Sequence, residues 1–130
     1  MKIVKNTCYG GFSLSVQALI KIVELKGMHI DKIVKYLNGN EIDITNSLEK
    51  WESSNSFVIT TDNGKTYGAY SFSDASERTD PELIKVIEEL GEASYGEYAR
   101  LEVVEIPDGI KWEIDDYDGV ETIEEAHRKW

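Results

Sequence analysis

The chain has few of the residue types on which small folds and active sites often depend. Its 130 residues include one cysteine, Cys8, two prolines and two histidines. A single cysteine excludes an internal disulfide, whereas small secreted domains usually carry an even set of cysteines. The apolar stretch 16–25 contains Gln17, Lys21 and Glu24, so it is too polar for a signal-peptide core, and it is too short for a membrane span. We therefore expect a cytoplasmic protein without membrane association.

Basic residues are also few in this sequence, relative to acidic ones. Lysine and arginine total 14 against 25 aspartates and glutamates, which gives a formal net charge of −11. Because phosphate contacts need a basic face, this balance argues against direct nucleic-acid binding and against docking to anionic lipid. It is compatible with a basic protein partner or with a small ligand held in a local pocket. No cofactor or metal motif is complete, so we expect neither group.

Length and composition predict one globular domain over residues 1–130. Apolar spacing and capping residues predict its helices. The expected helical segments are a helix after Ser15 that stops at Gly27, a short helix at 31–37, a helical turn at 46–51, a helix from Thr79 to Gly91 with Thr79 and Glu82 as a capping box, and a last helix at 122–130.

Runs of β-branched and aromatic residues between turn residues predict the strands. These are a first strand at 2–5, a hairpin of 56–61 and 66–72 around Asn63-Gly64, and a hairpin of 100–106 and 110–114 around Pro107-Asp108-Gly109. The order favours an α+β fold, with a mainly antiparallel sheet of about four to five strands and three to four short helices packed on it.

Both ends of the sequence carry recognisable motifs. The segments are Asn6-Thr7-Cys8-Tyr9-Gly10-Gly11-Phe12-Ser13-Leu14-Ser15, Arg78-Thr79-Asp80-Pro81 through Glu88-Glu89-Leu90-Gly91, Val104-Glu105-Ile106-Pro107-Asp108, Trp112-Glu113-Ile114, Tyr117-Asp118-Gly119 and Glu125-Ala126-His127-Arg128-Lys129-Trp130. Together they resemble a family of small proteins encoded by phages and prophages. The resemblance leaves out the middle, 28–76. It implies an accessory protein in the cytoplasm of a bacterial host, and it does not imply an activity.

The loop Cys8-Tyr9-Gly10-Gly11-Phe12 is the first candidate site, because it joins a predicted strand to a predicted helix. Backbone amides at such a turn can hold a phosphate or carboxylate, and glycines let a ligand approach the backbone closely. The alternative is that the glycines only supply a tight turn while Tyr9 and Phe12 pack in the core. Neither a Walker loop nor G-x-G-x-x-G is present.

Three arginines are candidate phosphate ligands, namely Arg78, Arg100 and Arg128. A guanidinium can grip a phosphate with two parallel hydrogen bonds, and each can equally pair with a neighbouring carboxylate. The aromatic residues Tyr67, Tyr70 and Phe72 could stack on a base, although ordinary core packing explains them as well.

Cys8 could act as a nucleophile with His127 as its base. Nothing in the sequence shows that the two residues meet, and no third, orienting residue is identifiable. A lone cysteine beside a strand is more typical of a small buried apolar residue.

Acidic residues are concentrated near the end of the sequence. They are Glu113, Asp115, Asp116, Asp118, Glu121, Glu124 and Glu125. The segment 116–119 is similar to part of a calcium loop, but Ile114 stands where that loop needs an acid. A solvated acidic rim is the simpler interpretation, and a surface that imitates nucleic-acid phosphates is the functional one.

Three functions are compatible with these features, in the following order. The first is a counter-defence protein that sequesters a small nucleotide immune signal without turning it over, and so is not an enzyme. The second is an acidic inhibitor that mimics nucleic acid and blocks a host defence protein. The third is a hydrolase that uses Cys8 and His127. Either binding function is compatible with a homo-oligomer.

Overall fold

The computed structural model describes residues 1–48 and 56–125 and shows a mixed α+β fold. Two short 3₁₀ turns, Ala75–Glu77 and Gly91–Ser94, flank the second helix. The helices and strands are β1 (Lys2–Asn6), α1 (Val16–Leu25), β2 (Ile30–Leu37), β3 (Asn40–Asp43), β4 (Phe57–Thr61), β5 (Thr66–Tyr67), α2 (Pro81–Leu90), β6 (Leu101–Glu105), β7 (Trp112–Tyr117) and β8 (Val120–Glu125).

In the described part of the chain all strand pairs are antiparallel, and the strands form three separate sheets. β1 pairs with β6, a four-stranded sheet has the order β3-β2-β4-β5, and β7 pairs with β8. The described part of the chain contains two α-helices, so the expectation of three to four helices is too high for it. No helix in that part is long and apolar enough to cross a bilayer.

Both α-helices lie where their local signals predict them. The hydroxyl of Ser15 accepts a hydrogen bond from the Ala18 amide at 3.1 Å and so caps α1. In α2 the N-cap is Asp80, whose carboxylate accepts from the Leu83 amide at 3.0 Å, and not Thr79 as the capping-box spacing suggested. The buried sides of both helices join one hydrophobic core with β1, β2, β4 and β6.

The helix expected at 31–37 is wrong, because this segment forms strand β2. Its apolar residues also fit a strand that pairs on both edges, with β3 on one side and β4 on the other. Ile33, Val34 and Lys35 are buried in succession, which a one-faced helix does not allow. Asn38 and Gly39 both have positive φ, as a two-residue hairpin turn requires, so they close β2 onto β3.

The hairpin expected around Pro107-Asp108-Gly109 is also wrong, although both of its strands exist. β6 pairs with β1, where Val104 lies opposite Ile3, and β7 pairs with β8. The hairpin around Asn63-Gly64 is confirmed, with β5 shorter than expected.

The last predicted helix, 122–130, is contradicted over residues 122–125. These residues belong to β8, because Asp118 and Gly119 both have positive φ and turn the chain back onto β7. Residues 126–130 lie outside the described residues. The helical turn expected at 46–51 lies partly outside them as well.

Candidate binding surface at the glycine loop

The glycine loop follows β1 but does not lead directly into α1. Residues 12–15 separate Gly11 from the first residue of the helix, and the helix amides are capped by Ser15. The Gly11 amide donates to the Cys8 carbonyl at 3.3 Å, within the loop itself. The loop amides are therefore not arranged as an anion site at the helix N-terminus.

Asn6, at the end of β1, fixes the shape of the loop. Its side-chain amide donates to the carbonyls of Cys8 and Gly119, both at 2.6 Å. Its Oδ1 accepts from the Arg100 amide at 2.9 Å and from the Cys8 amide at 3.4 Å. One fully buried side chain thus ties the loop to the start of β6 and to the β7–β8 turn. Asn6 was not predicted as a site residue, because two of its partners, Arg100 and Gly119, are distant in sequence.

Two glycines at this junction allow protein backbone, and not a ligand, to approach closely. A Cβ atom added to Gly10 would clash with the Cβ and carbonyl of Tyr98. A Cβ atom added to Gly119 would lie 2.6 Å from both the Gly11 nitrogen and the Tyr9 oxygen. Tyr98 itself has φ of 63°, which is strained for a bulky side chain. The loop, Tyr98 and the β7–β8 turn therefore interlock.

Arg78 lies beneath the loop and is fully engaged by the protein. Its guanidinium donates to both carboxylate oxygens of Glu121 at 2.6 and 2.8 Å. The remaining donors reach the Val4 carbonyl at 3.2 Å and the Ser73 carbonyl at 2.8 and 3.1 Å. These bonds use all five guanidinium N–H donors. The guanidinium carbon also lies 4.0 Å from the centre of the Phe12 ring. Arg78 is therefore a buried structural cation in this arrangement.

Glu121 consequently does not belong to the solvated acidic rim in which the sequence placed it. It is buried, and its Oε1 also accepts from the Asn6 amide at 2.7 Å. The other acids in the described part of this segment are exposed.

The remaining predicted site residues have different environments. Cys8 is a half-buried free thiol, and Phe12 is buried in the core. The backbone of Arg100 bonds Asn6 and Thr7, while the residue as a whole is exposed. Arg128 and His127 lie outside the described residues. The pairing of Cys8 with His127 therefore stays a prediction.

Three tyrosines are the most exposed large hydrophobic side chains of the described residues. We call Tyr9, Tyr98 and Tyr117 the tyrosine trio; they are 74%, 73% and 75% exposed. The backbones of Tyr9 and Tyr98 belong to the junction just described, because Tyr98 lies against Gly10 and the Tyr9 carbonyl lies against Gly119. Tyr117 lies on the same hairpin, two residues before Gly119. Tyr9 was expected either at a ligand site or in the core, and it is not in the core. No local pattern around Tyr98 indicates its strained φ.

The β7–β8 hairpin presents a charged outer face beside the trio. Alternation along the strands places Glu113, Asp115 and Tyr117 on the same face, with Glu124 from β8. We call Glu113, Asp115 and Glu124 the acidic face. Glu113 lies directly opposite Glu124 in the ladder. No lysine or arginine of the described chain forms an ion pair with these three carboxylates.

The calcium-like segment 116–119 forms the hairpin turn. Asp116 accepts a hydrogen bond from the Gly119 amide at 2.7 Å, which closes the turn. Across residues 1–48 and 56–125, no group of three histidine, cysteine, aspartate or glutamate side chains is arranged to hold a metal ion.

Comparison with known proteins identifies no relative of this chain. No protein-family model, no curated protein and no solved structure matches the chain. The resemblance to small phage proteins therefore stays a prediction from the sequence motifs.

Proposed function

We propose that this protein binds a basic protein partner through the surface made by the tyrosine trio and the acidic face. The observation that carries the proposal is the exposure of three tyrosines, each about three-quarters open to solvent, around one interlocked junction. Tyrosine is enriched at protein interfaces because its ring buries a large area while its hydroxyl stays able to hydrogen-bond.

The rigidity of the junction supports a binding role. Asn6 and the close packing at Gly10 and Gly119 hold the backbone around Tyr9 and Tyr98 in place, and they hold the hairpin turn that follows Tyr117. Aromatic anchors on a fixed backbone lose little conformational entropy when a partner binds. The strain at Tyr98 fits the same role, since residues held in sparsely populated backbone conformations cluster at functional sites.

The charge of the hairpin indicates what kind of partner it suits. Like charges directly opposite each other on a sheet are destabilising, and Glu113 and Glu124 stand in that relationship. A lysine or arginine side chain placed between them would remove the repulsion and gain two carboxylate contacts. The net charge of −11 would also steer a basic protein toward this surface.

This proposal corresponds to the acidic-inhibitor hypothesis, in which the partner is a nucleic-acid-binding defence protein of the host. The nucleotide-sponge hypothesis had the glycine loop and three arginines as its pocket. All five guanidinium donors of Arg78 are taken by Glu121 and two backbone carbonyls, so Arg78 has none left for a phosphate, and Arg100 is the one exposed arginine of the described residues. At the glycine loop, the geometry therefore favours a basic partner over a phosphate.

The test distinguishes binding at this surface from attraction to the net charge of the whole protein. A synthetic arginine- and lysine-rich peptide serves as the probe, followed by backbone amide shifts during titration. The test variant neutralises the acidic face with Glu113→Gln, Asp115→Asn and Glu124→Gln. The control carries Glu24→Gln, Asp31→Asn and Asp74→Asn, which change the net charge equally at exposed positions elsewhere.

We expect the peptide to shift amides of the trio and the hairpin, and to bind the test variant more weakly than the control. Its affinity for the wild type should also fall with salt more steeply than for the test variant. Equal weakening in both variants would show attraction to net charge alone and would overturn the proposal. Shifts confined to other parts of the chain would overturn it as well.

A further inference from the structure

A separate cleft lies between the end of α1, the β4–β5 turn and the start of α2. Its volume is about 580 Å³, within the range of small-molecule sites. The residues that line it are Lys26, Met28, Asn63, Lys65, Thr66, Tyr67, Phe72, Glu77 and Asp80. None of them belongs to the tyrosine trio or the acidic face, so the cleft is independent of the proposed docking surface.

One wall of the cleft presents hydrogen-bond donors that the protein leaves unused. The Oδ1 atom of Asn63 accepts from the Thr61 hydroxyl and the Lys65 amide, so its side-chain NH₂ remains available to donate. Neither this NH₂, nor the Lys65 ammonium, nor the Thr66 hydroxyl donates to any residue of the described chain. Three donors from one turn, one of them charged, are the groups that bind a phosphate.

A second group of lining residues is aromatic and includes one thioether, that of Met28. The rings of Tyr67 and Phe72 are stacked, with centroids 6.2 Å apart and planes inclined by 12°. The half-buried phenol of Tyr67 donates to the Met28 sulfur at 3.7 Å, and a thioether is a weak acceptor. These residues can bury the face of a planar ring. An oxygen or nitrogen of that ring would accept a stronger hydrogen bond from the Tyr67 hydroxyl than the Met28 sulfur does.

The carboxylates of the cleft have different roles. Asp80 is engaged with Lys26 at 2.7 Å and with the helix cap, so these two charges largely neutralise each other. The half-buried carboxylate of Glu77 has no hydrogen-bond partner among the described residues. It is an acceptor for a neutral donor such as a ribose hydroxyl or an exocyclic amine.

We propose that this cleft is a binding site for a nucleoside monophosphate. The phosphate contacts Lys65, Asn63 and Thr66, the base lies against Tyr67 and Met28, and Glu77 accepts from the sugar or the base. A bare phosphate would use one of these groups of residues, and a bare nucleoside would use the other. The full nucleotide should therefore bind more tightly than either part.

The experiment titrates adenosine 5′-monophosphate, adenosine and inorganic phosphate into the protein and follows backbone amide shifts. Lys65→Gln is the test variant, and Lys111→Gln is the control, since both lysines are exposed and both changes remove one positive charge. Circular dichroism melts check that both variants fold. We expect the nucleotide to shift amides of residues 63–67, and Lys65→Gln to weaken its binding about tenfold, the size of one lost charge-assisted hydrogen bond.

Three results would overturn the proposal. They are the absence of cleft shifts at millimolar nucleotide, equal weakening in the two lysine variants, and inorganic phosphate binding as tightly as the nucleotide. Failure here would leave the basic-partner proposal intact, because that proposal is tested with a peptide on a different surface.

Discussion

Arg78 and Glu121 form a two-bond ion pair that fastens the C-terminal hairpin to the body of the protein. The bonds are 2.6 and 2.8 Å long, and the side chains are only 3% and 6% exposed. The two residues are 43 positions apart in sequence. Because Glu121 also accepts from the Asn6 amide, the pair lies directly beneath the glycine loop.

Removing one member of this pair should be strongly destabilising. Glu121→Ala leaves the Arg78 guanidinium buried without its carboxylate, and breaking a buried pair typically costs about 3–5 kcal/mol. Urea unfolding should show this loss. Glu124→Ala, an exposed glutamate on the same strand, is the control and should change stability by less than about 0.5 kcal/mol. Unfolding midpoints that coincide for the two variants would contradict the structural role of the pair.

Gly119→Ala should destabilise the protein more than Gly39→Ala does. Both glycines have positive φ, at 89° and 79°, so both substitutions carry a backbone penalty of about 1 kcal/mol. A Cβ atom at Gly39 meets open space, whereas one at Gly119 meets backbone atoms of Gly11 and Tyr9. Thermal melts of the two variants measure the difference. Equal losses of stability would show that the loop and the hairpin turn are not interlocked.

Tyr98→Asn should separate stability from binding. Asparagine tolerates the left-handed conformation that Tyr98 adopts, so the substitution should relieve strain and raise the free energy of unfolding by about 1 kcal/mol. It also removes an exposed ring from the trio, so binding of the basic peptide should weaken. Urea unfolding and the peptide titration measure the two effects. Unchanged peptide affinity in the stable variant would exclude Tyr98 from the binding surface.

Asp80 should make stability depend on pH in the acidic range. Burial acts to raise the pKa of Asp80, but its bonds from Lys26 and the Leu83 amide hold the pKa below its ordinary value. A lowered folded-state pKa gives stability that is complete above the unfolded-state value, near pH 4, and is lost as the pH falls through the folded-state value.

Asp80→Asn keeps a capping side chain but loses the charge, so it isolates this contribution. We expect wild type to exceed the variant in unfolding free energy at about pH 6, and the difference to shrink as the pH falls toward about 3. Asp74→Asn, at an exposed aspartate, is the control and should show no such trend. If the difference in unfolding free energy between wild type and Asp80→Asn grew as the pH fell, the lowered pKa assigned to Asp80 would be wrong.

Local signals in the sequence predicted the local elements well. Ser15 marks the start of α1, Pro81 opens α2, and Asn63-Gly64 closes a hairpin, because in each case the deciding contacts lie within a few residues. Segment 31–37 was misjudged because its Ile and Val spacing fits a helix stripe and a strand buried on both faces equally well.

The candidate site depends on contacts that no local pattern contains. The glycine loop was identified from its sequence, yet the residues that shape it, Asn6, Tyr98 and Glu121, act across the chain. Strand β6 was placed correctly, but its partner is β1 and not the next strand. Choosing between those partners requires the register of distant segments, which short-range propensities do not encode.

The pairing of β1 with β6 constrains how the chain can fold during synthesis. Val4 lies opposite Val103, so β1 has no strand partner until β6 has been synthesised and has left the ribosome. Closing such a long loop is entropically costly and slow, and until then one edge of the core remains open. Ribosome-bound chains that stop before Leu101 should accordingly stay sensitive to protease. Chains extended through Glu125, with room to clear the exit tunnel, supply both β6 and the Glu121 partner of Arg78 and should be the first to resist it.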